Sequence, residues 1–278
     1  MILIDNSQII LATIFAQYNN PEAVTVDLVR HLTLSSYRMY RNMFHAEYGE
    51  LVLCQDTSNC WRKEVFPEYK HGRKKSREKS QYDWEGVFDI LNIIRNEVKE
   101  FLPYKSLTIP RCEADDIIAV LTKNFHQTEK VMIVSSDKDF QQLLRFQNVQ
   151  QYSPIKRSIV KCESPERFLF EHIIKGDTSD GIPNILSDDN TFVFEGKRQK
   201  PLSSKKLLTW KTFSDIPQQY ERNIDRNRML VDLAYIPIDV ENSILEEYKV
   251  PPVGERKKIF DYFVEKRLKN LMDNIQDF

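Results

Sequence analysis

Nine carboxylates fall in four separated clusters along the chain. They are Asp5; Asp56; Glu113, Asp115 and Asp116 taken with Asp137 and Asp139; and the pair Asp177 and Asp180. Three positions come just after short apolar runs: Asp5 after Ile2-Leu3-Ile4, Asp56 after Leu51-Val52-Leu53, and Asp137 after Val131-Met132-Ile133-Val134. Continuous apolar runs ending in polar residues read as strands of a parallel sheet buried on both faces. In such sheets the ligand site lies beyond the carboxyl ends of the strands, so these carboxylates are expected to meet there. Carboxylates gathered at one point raise each other's pKa. Hard divalent cations relieve that repulsion, and Mg²⁺ takes oxygen ligands from protein and from substrate phosphates. The pattern points to metal-dependent chemistry on a phosphate.

Each cluster has an ordinary reading as well. Glu113 and Asp116, three apart, share one face of a helix, while Asp115 points elsewhere in the first turn, where the helix dipole favours anions. Acidic residues are common N-terminal caps. Asp137 and Asp139 face the same way in an extended chain, as they would in a surface turn. Asp177 and Asp180 suit a polar turn closed by local side-chain bonds. It is the four clusters together that favour a metal centre.

The elements that must position them follow from periodicity. Strand-like and helix-like stretches alternate through about residue 150, which predicts βαβ units. Helices are expected over 26–44 after a Thr25 cap, over 83–98 ahead of Pro103, and over 113–125 with Ala114, Ile117, Ile118 and Leu121 on one face. Beyond about residue 160 the strand signal fades, and 164–175, 203–213 and 255–276 read as helical. In the last segment Ile259, Phe260, Phe263, Leu268, Leu271 and Ile275 form an apolar stripe. The expected organisation is a catalytic domain at 1–160 and a helical region at 161–278.

A second feature is the stretch 62–79. Arg62, Lys63, Lys70, Arg73, Lys74, Lys75, Arg77 and Lys79 stand against Glu64, Glu68 and Glu78, a net charge of +5, with Trp61, Phe66 and Tyr69 interleaved. Cations for phosphates and rings for bases suit single-stranded nucleic acid. A charge run is more often a solvated face, but this one closely follows Asp56 and so overhangs the proposed metal site.

The composition excludes other classes. The chain has 278 residues and a net charge of −1, so its total charge carries no sign of a nucleic-acid partner. Its 7 Gly form neither a phosphate-binding loop nor a dinucleotide fingerprint. Cys54, Cys60, Cys112 and Cys162 form no CxxC, which predicts reduced thiols and no zinc site. The five His residues are scattered, and none is assigned to catalysis. No run approaches the length of a membrane span, and the N-terminus opens directly into a strand, so neither a membrane location nor a signal peptide is expected.

Ile4-Asp5-Asn6-Ser7, Tyr69-Lys70-His71-Gly72-Arg73, Glu113-Ala114-Asp115-Asp116, Ser135-Ser136-Asp137-Lys138-Asp139-Phe140 and Gly176-Asp177-Thr178-Ser179-Asp180-Gly181-Ile182-Pro183 stand in an order and spacing that resembles the 5′ nuclease (flap endonuclease) family along most of the chain. The resemblance implies a PIN-like α/β fold, a mostly parallel sheet with helices on both faces, followed by a helix-three-turn-helix from Lys161 to about Leu208. It implies two Mg²⁺ ions, with Mn²⁺ as a substitute. Asp5, Asp56, Glu113 and Asp115 would surround the first ion; Asp137, Asp139, Asp177 and Asp180 the second, some through water; Asp116 is an added acidic neighbour. Lys70, Arg73, Asp115 and Asp137 would be catalytic, and Arg62, Lys63, Tyr69, Lys70, Arg73, Lys74 and Lys75 would contact nucleic acid within an arch at 61–79.

The implied activity is 5′-to-3′ exonuclease and flap endonuclease cleavage that removes RNA primers and 5′ flaps in phage DNA replication. The substrates would be DNA and RNA/DNA hybrids with 5′ ends or flaps. A sliding clamp and a single-stranded-DNA-binding protein are the implied partners of a monomer in the host cytoplasm. The chain departs from the family after Pro183, where Asn184-Ile185-Leu186-Ser187-Asp188-Asp189-Asn190 replaces a glycine-rich hairpin. Acidic residues there would repel DNA, so Lys197, Arg198 and Lys200 are expected to supply the grip. The competing readings are a PIN-type RNA endonuclease without 5′-end selection and a non-catalytic DNA-binding protein of the replisome.

Overall fold

The computed structural model describes residues 1–17 and 24–278. In chain order its first half comprises β1 (Ile2–Asp5), α1 (Asn6–Ala16), α2 (Val26–Tyr48), β2 (Leu51–Gln55), α3 (Arg62–Val65), α4 (Gly72–Glu78), α5 (Trp84–Phe101), β3 (Lys105–Thr108), α6 (Ala114–Phe125) and β4 (Val131–Val134). A 3₁₀ segment, Lys138–Arg145, leads to β5 (Val149–Ser153) and β6 (Ser158–Ile159). The rest is α7 (Pro165–Lys175), α8 (Ser204–Thr209), α9 (Glu221–Val231), α10 (Ile238–Lys249), α11 (Arg256–Glu265) and α12 (Lys269–Met272), with short 3₁₀ turns between.

The six strands lie in the order β3-β2-β1-β4-β5-β6, parallel except for the β5–β6 hairpin. The chain therefore builds outward from β1 in both directions, and the strand order reverses between β1 and β4. That switch point, at the carboxyl ends of the strands, is where an open α/β sheet leaves a crevice. Asp5 ends β1, and Asp137 follows β4 by three residues.

Strand residues alternate between two cores, as a period of two demands. Ile2, Ile4, Leu51, Leu53, Met132 and Val134 pack with α1, α2, α5 and α11, whereas Leu3, Val52, Cys54, Val131 and Ile133 pack with α6 and α10. Helices thus cover both faces. A third core joins Cys60, Phe66 and Tyr69 to Ile173, Ile174, Ile182, Ile185, Trp210 and Ile224. Side chains from both sides of residue 160 share all three cores, so the C-terminal segment is built into the body of the catalytic half.

Two sequence expectations need correction. The helix expected over 203–213 stops at Thr209, because Trp210 turns to an extended conformation and buries its ring in the third core. The helix expected over 255–276 breaks after Glu265, where Arg267 adopts a left-handed φ of 55°. Leu268 N–H then closes the end on Phe263 O at 2.8 Å. The break keeps Leu268, Leu271 and Phe278 on the first core, but Phe260 of the expected stripe faces solvent. The strands β3 and β5 gave no apolar run in the sequence: each carries polar residues that the tertiary fold buries, Ser106 in one and Gln151 in the other.

Candidate metal centre and nucleic-acid interface

The first group of carboxylates is set by strand ends and one helix start. Asp5 caps α1, accepting from Gln8 N–H at 3.1 Å and from Ser135 Oγ at 3.0 Å. Asp56 Oδ1 accepts the Ala114 N–H at the start of α6, 2.9 Å away. Asp137 starts the 3₁₀ segment by accepting from Asp139 N–H at 2.9 Å. Burial, together with repulsion from Asp56, pushes Asp5 up to about 7. Burial and the charges of Asp137 and Asp5 push Asp115 well above the usual carboxylate range. Carboxyl groups that burial and mutual repulsion drive toward the neutral form are ones a divalent cation would relieve.

The second group lies beside it. His172 on α7 places Nδ1 3.4 Å from Asp139 Oδ1 and Nε2 3.2 Å from Asp177 Oδ2. Burial pushes Asp139 up to about 7, whereas hydrogen bonds from His172, Lys138 and Ser179 outweigh burial and hold Asp177 well below its ordinary value. The turn that carries Asp177 depends on two glycines. Gly176 (φ 65°) sits so tightly that a Cβ would lie 2.3 Å from Ile182 O, and Gly181 (φ 73°) is also left-handed. Asp177 Oδ1 closes the turn on Ser179 N–H at 2.8 Å, while Oδ2 meets Lys138 Nζ at 2.7 Å and His172 Nε2 at 3.2 Å. Asp177 therefore fits the polar-turn reading on one oxygen and faces Lys138 and His172 with the other.

The third group is held by the arch. Lys70 pairs with Glu113 and stands 3.6 Å from Asp180, while Arg73 meets Asp180 at 2.6 Å. The Tyr69 hydroxyl lies 2.9 Å from Glu113 and 3.1 Å from Asp180. Lys70 N–H donates to Asp180 O at 2.7 Å, so the arch is stitched to the 177–182 turn. Lys70 and Arg73 thus lie over the carboxylates.

Asp116, expected as an acidic neighbour of the metal, turns away. Glu113 and Asp116 form a reciprocal capping box, with Glu113 N–H donating to Asp116 Oδ2 at 3.0 Å. Trp61 Nε1 donates to the same carboxylate at 3.2 Å and Arg62 pairs with it at 2.8 Å. Because the third helical residue of a capping box reaches back to the cap, Asp116 goes inside, away from its expected place beside the metal, whereas Asp115 faces the other carboxylates. Arg62, expected to touch nucleic acid, is buried on Asp116, Glu113 and Leu230 O. The interleaved rings do not form a stacking platform either: Trp61, Phe66 and Tyr69 are each 3% exposed, because aromatic side chains find more favourable surroundings in the cores than in water. Lys63, Arg73, Lys74 and Lys75 remain exposed.

Removing Arg62 leaves Asp116 as an uncompensated buried charge. Arg62→Met is expected to cost roughly 3–5 kcal/mol of stability, read as a lower midpoint in chemical denaturation. The added change Asp116→Asn should recover part of it. A midpoint unchanged in Arg62→Met would show that the pair does not hold the arch base.

The hairpin region also differs from expectation. Asp188 pairs with Lys197 at 3.0 Å, and Asp189 meets Arg222 at 2.5 Å and Arg226 at 2.6 Å. The acids are neutralised from within, which removes the expected repulsion but also engages Lys197. Arg198 and Lys200 are exposed. Sequence reasoning missed His172, although it lies on the buried stripe of α7 five residues before Asp177. It also missed Arg95, which donates to Gln55 Oε1 and, at 2.6 Å, to Asp56 O, bracing the end of β2.

This geometry agrees with the comparisons to known proteins. Residues 1–169 match the model of the 5′-3′ exonuclease N-terminal resolvase-like domain, and residues 163–278 match that of the C-terminal domain of T4 RNase H. The chain belongs to the 5′-3′ exonuclease and flap endonuclease family. It is 35% identical over 295 residues to ribonuclease H of Enterobacteria phage T4, covering 99% of this chain and 95% of that protein. It is 26% identical over 222 residues to a 5′-3′ exonuclease of Buchnera aphidicola, covering 73% of each. Among solved structures, a bacteriophage T5 flap endonuclease in complex with DNA and metal ions shares the fold at a TM-score of 0.66 and 20% identity, covering 90% of this chain and 99% of that one. As a family member this chain is a nuclease, and its fold is the PIN-like one the motifs implied. Among the described residues no helix is long and apolar enough to cross a membrane.

Proposed function

We propose that this nuclease removes RNA primers and 5′ flaps in phage DNA replication, using two Mg²⁺ ions for which Mn²⁺ can substitute. One observation carries the reading most strongly: carboxylates from β1, β2, α6, the segment after β4 and the turn after α7 converge at the strand ends beneath Lys70 and Arg73. Asp5, Asp56, Glu113 and Asp115 would hold one ion; Asp137, Asp139, Asp177 and Asp180 the other. When bound, such a pair supplies a water of lowered pKa and neutralises charge on the leaving oxygen. The protein's own part is positional. Ser135 fixes Asp5 and, by accepting the Asp137 N–H at 3.0 Å, fixes Asp137 as well. Lys70 and Arg73 transfer from Glu113 and Asp180 to the scissile phosphate, where they balance its charge. No Ser or His nucleophile is needed.

The substrates that fit are DNA and RNA/DNA hybrids with 5′ ends or flaps. A sliding clamp and a single-stranded-DNA-binding protein are the proposed partners of a monomeric enzyme in the host cytoplasm. Labelled RNA-primed and 5′-flapped duplexes, digested side by side with Mg²⁺, test the assignment. Short 5′ products from both are expected, and cleavage of uncut circular RNA at a similar rate would replace this reading with a PIN-type endonuclease.

Duplex binding should be steeply salt-dependent despite the near-neutral total charge. Every cation that stops neutralising a phosphate lowers the slope of log K against log salt by about one unit. Replacing Arg198 and Lys200 with Gln should flatten the slope by about two units, and adding Lys197→Gln should change it less, since Asp188 already engages that amine. An unchanged slope would exclude 197–200 as the grip.

A further inference from the structure

His172 is the one nitrogen-bearing side chain among the described residues that joins a set of three possible metal donors, and it is nearly enclosed, with its side chain 5% exposed. Its two ring nitrogens face two different carboxylates. Asp177 has ordinary partners on both oxygens: Ser179 on Oδ1, and Lys138 at 2.7 Å on Oδ2 beside His172 Nε2. A carboxylate held ionised by Lys138 and Ser179 can only accept, so Nε2 carries the proton and donates to it. Nδ1 is the ring nitrogen left over. It faces Asp139 Oδ1 at 3.4 Å, and both atoms are buried without a hydrogen-bond partner. Buried polar atoms left without a partner are costly, and a cation seated beside both would satisfy them. Imidazoles that ligate metals have this arrangement, with the other ring N–H held by a carboxylate that fixes the tautomer.

We propose that His172 Nδ1 is a direct ligand of the second divalent cation, alongside Asp139, and that this nitrogen donor makes the position prefer Mn²⁺ or Co²⁺ over Mg²⁺. The inference rests on the two-cation reading and refines it. Mg²⁺ favours oxygen donors almost exclusively, whereas imidazole suits the later first-row ions. A site built only from carboxylates would discriminate less between these ions. In this refinement Asp177 gives up the ligand role assigned to it above and acts through His172 as a positioning residue, holding the ring so that Nδ1 faces Asp139.

The test uses Mn²⁺ itself as the probe, without substrate. Full-length protein carrying ¹⁵N-labelled histidine and its unlabelled form are loaded with Mn²⁺ and compared by pulsed electron paramagnetic resonance. A nitrogen coupling that changes with the label and disappears in His172→Gln is expected. Competition titrations of Mn²⁺ against Mg²⁺ should show the preference for Mn²⁺ falling by roughly tenfold in His172→Gln. Mn²⁺ bound in a manner that Asp139→Asn weakens, but with no histidine nitrogen coupling, would overturn the proposal and leave the two-cation reading standing. An unchanged preference in His172→Gln would also overturn it. No binding that depends on Asp139 or Asp5 would instead sink the two-cation reading. If His172→Gln does not fold, the labelled and unlabelled wild-type spectra decide the matter alone.

Discussion

Asp139→Asn is expected to reduce cleavage by several orders of magnitude while leaving nucleic-acid affinity level or higher. The substitution removes one charge from the second cation position and keeps the side-chain shape. It should also fold normally, because the new amide can donate to His172 Nδ1, which faces Asp139 Oδ1 at 3.4 Å. Loss of part of a two-metal clamp removes both charge neutralisation and orientation from the transition state. Binding responds in the opposite sense, since a carboxylate near a phosphate repels it. Isotherms measured with Ca²⁺ in place of Mg²⁺, followed by single-turnover cleavage with Mg²⁺, separate the two effects. Turnover within a few-fold of wild type would remove Asp139 from the mechanism.

The other large effect concerns strand ends. A bulky protein cap placed on the 5′ terminus of a flap before enzyme is added should nearly abolish cleavage, and the same cap on the 3′ terminus should not. The structure supplies a physical reason. The arch rises from Asp56, buries Trp61, Phe66 and Tyr69 in two cores, and is fastened to the 177–182 turn through the backbone bond from Lys70 N–H to Asp180 O. A segment anchored at that many points does not easily lift away for a continuous strand, whereas a free end can pass beneath it. Because the rings are buried, the guiding interaction is expected to be electrostatic, from Lys70, Arg73, Lys74 and Lys75, rather than base stacking. Equal rates on 5′-capped and uncapped flaps would show that substrates enter from the side and favour the PIN-type alternative.

Much of this protein could be read from the chain alone. Apolar runs that end in Asp5, Asp56 and Asp137 were enough to place three parallel strands and the rim where their carboxylates meet, because side-chain burial on both faces leaves an unbroken hydrophobic signature. The ordered motifs carried the family. What the chain could not decide was which way individual side chains point and who their partners are. Helical spacing put Glu113 and Asp116 on one face, and they do meet in the capping box, but that box and Arg62 draw Asp116 away from the other carboxylates, an outcome that depends on a cation far earlier in the chain. The basic, aromatic run 62–79 looked like one binding surface, but packing against α7 and α9 sorted it into buried rings and exposed amines. Asp188 and Asp189 looked repulsive until Lys197, Arg222 and Arg226 closed on them. His172 was one of five scattered histidines, none of them assigned to catalysis. Only the tertiary structure sets its two nitrogens between Asp139 and Asp177, because long-range packing, unlike local periodicity, fixes the distance between side chains from different elements.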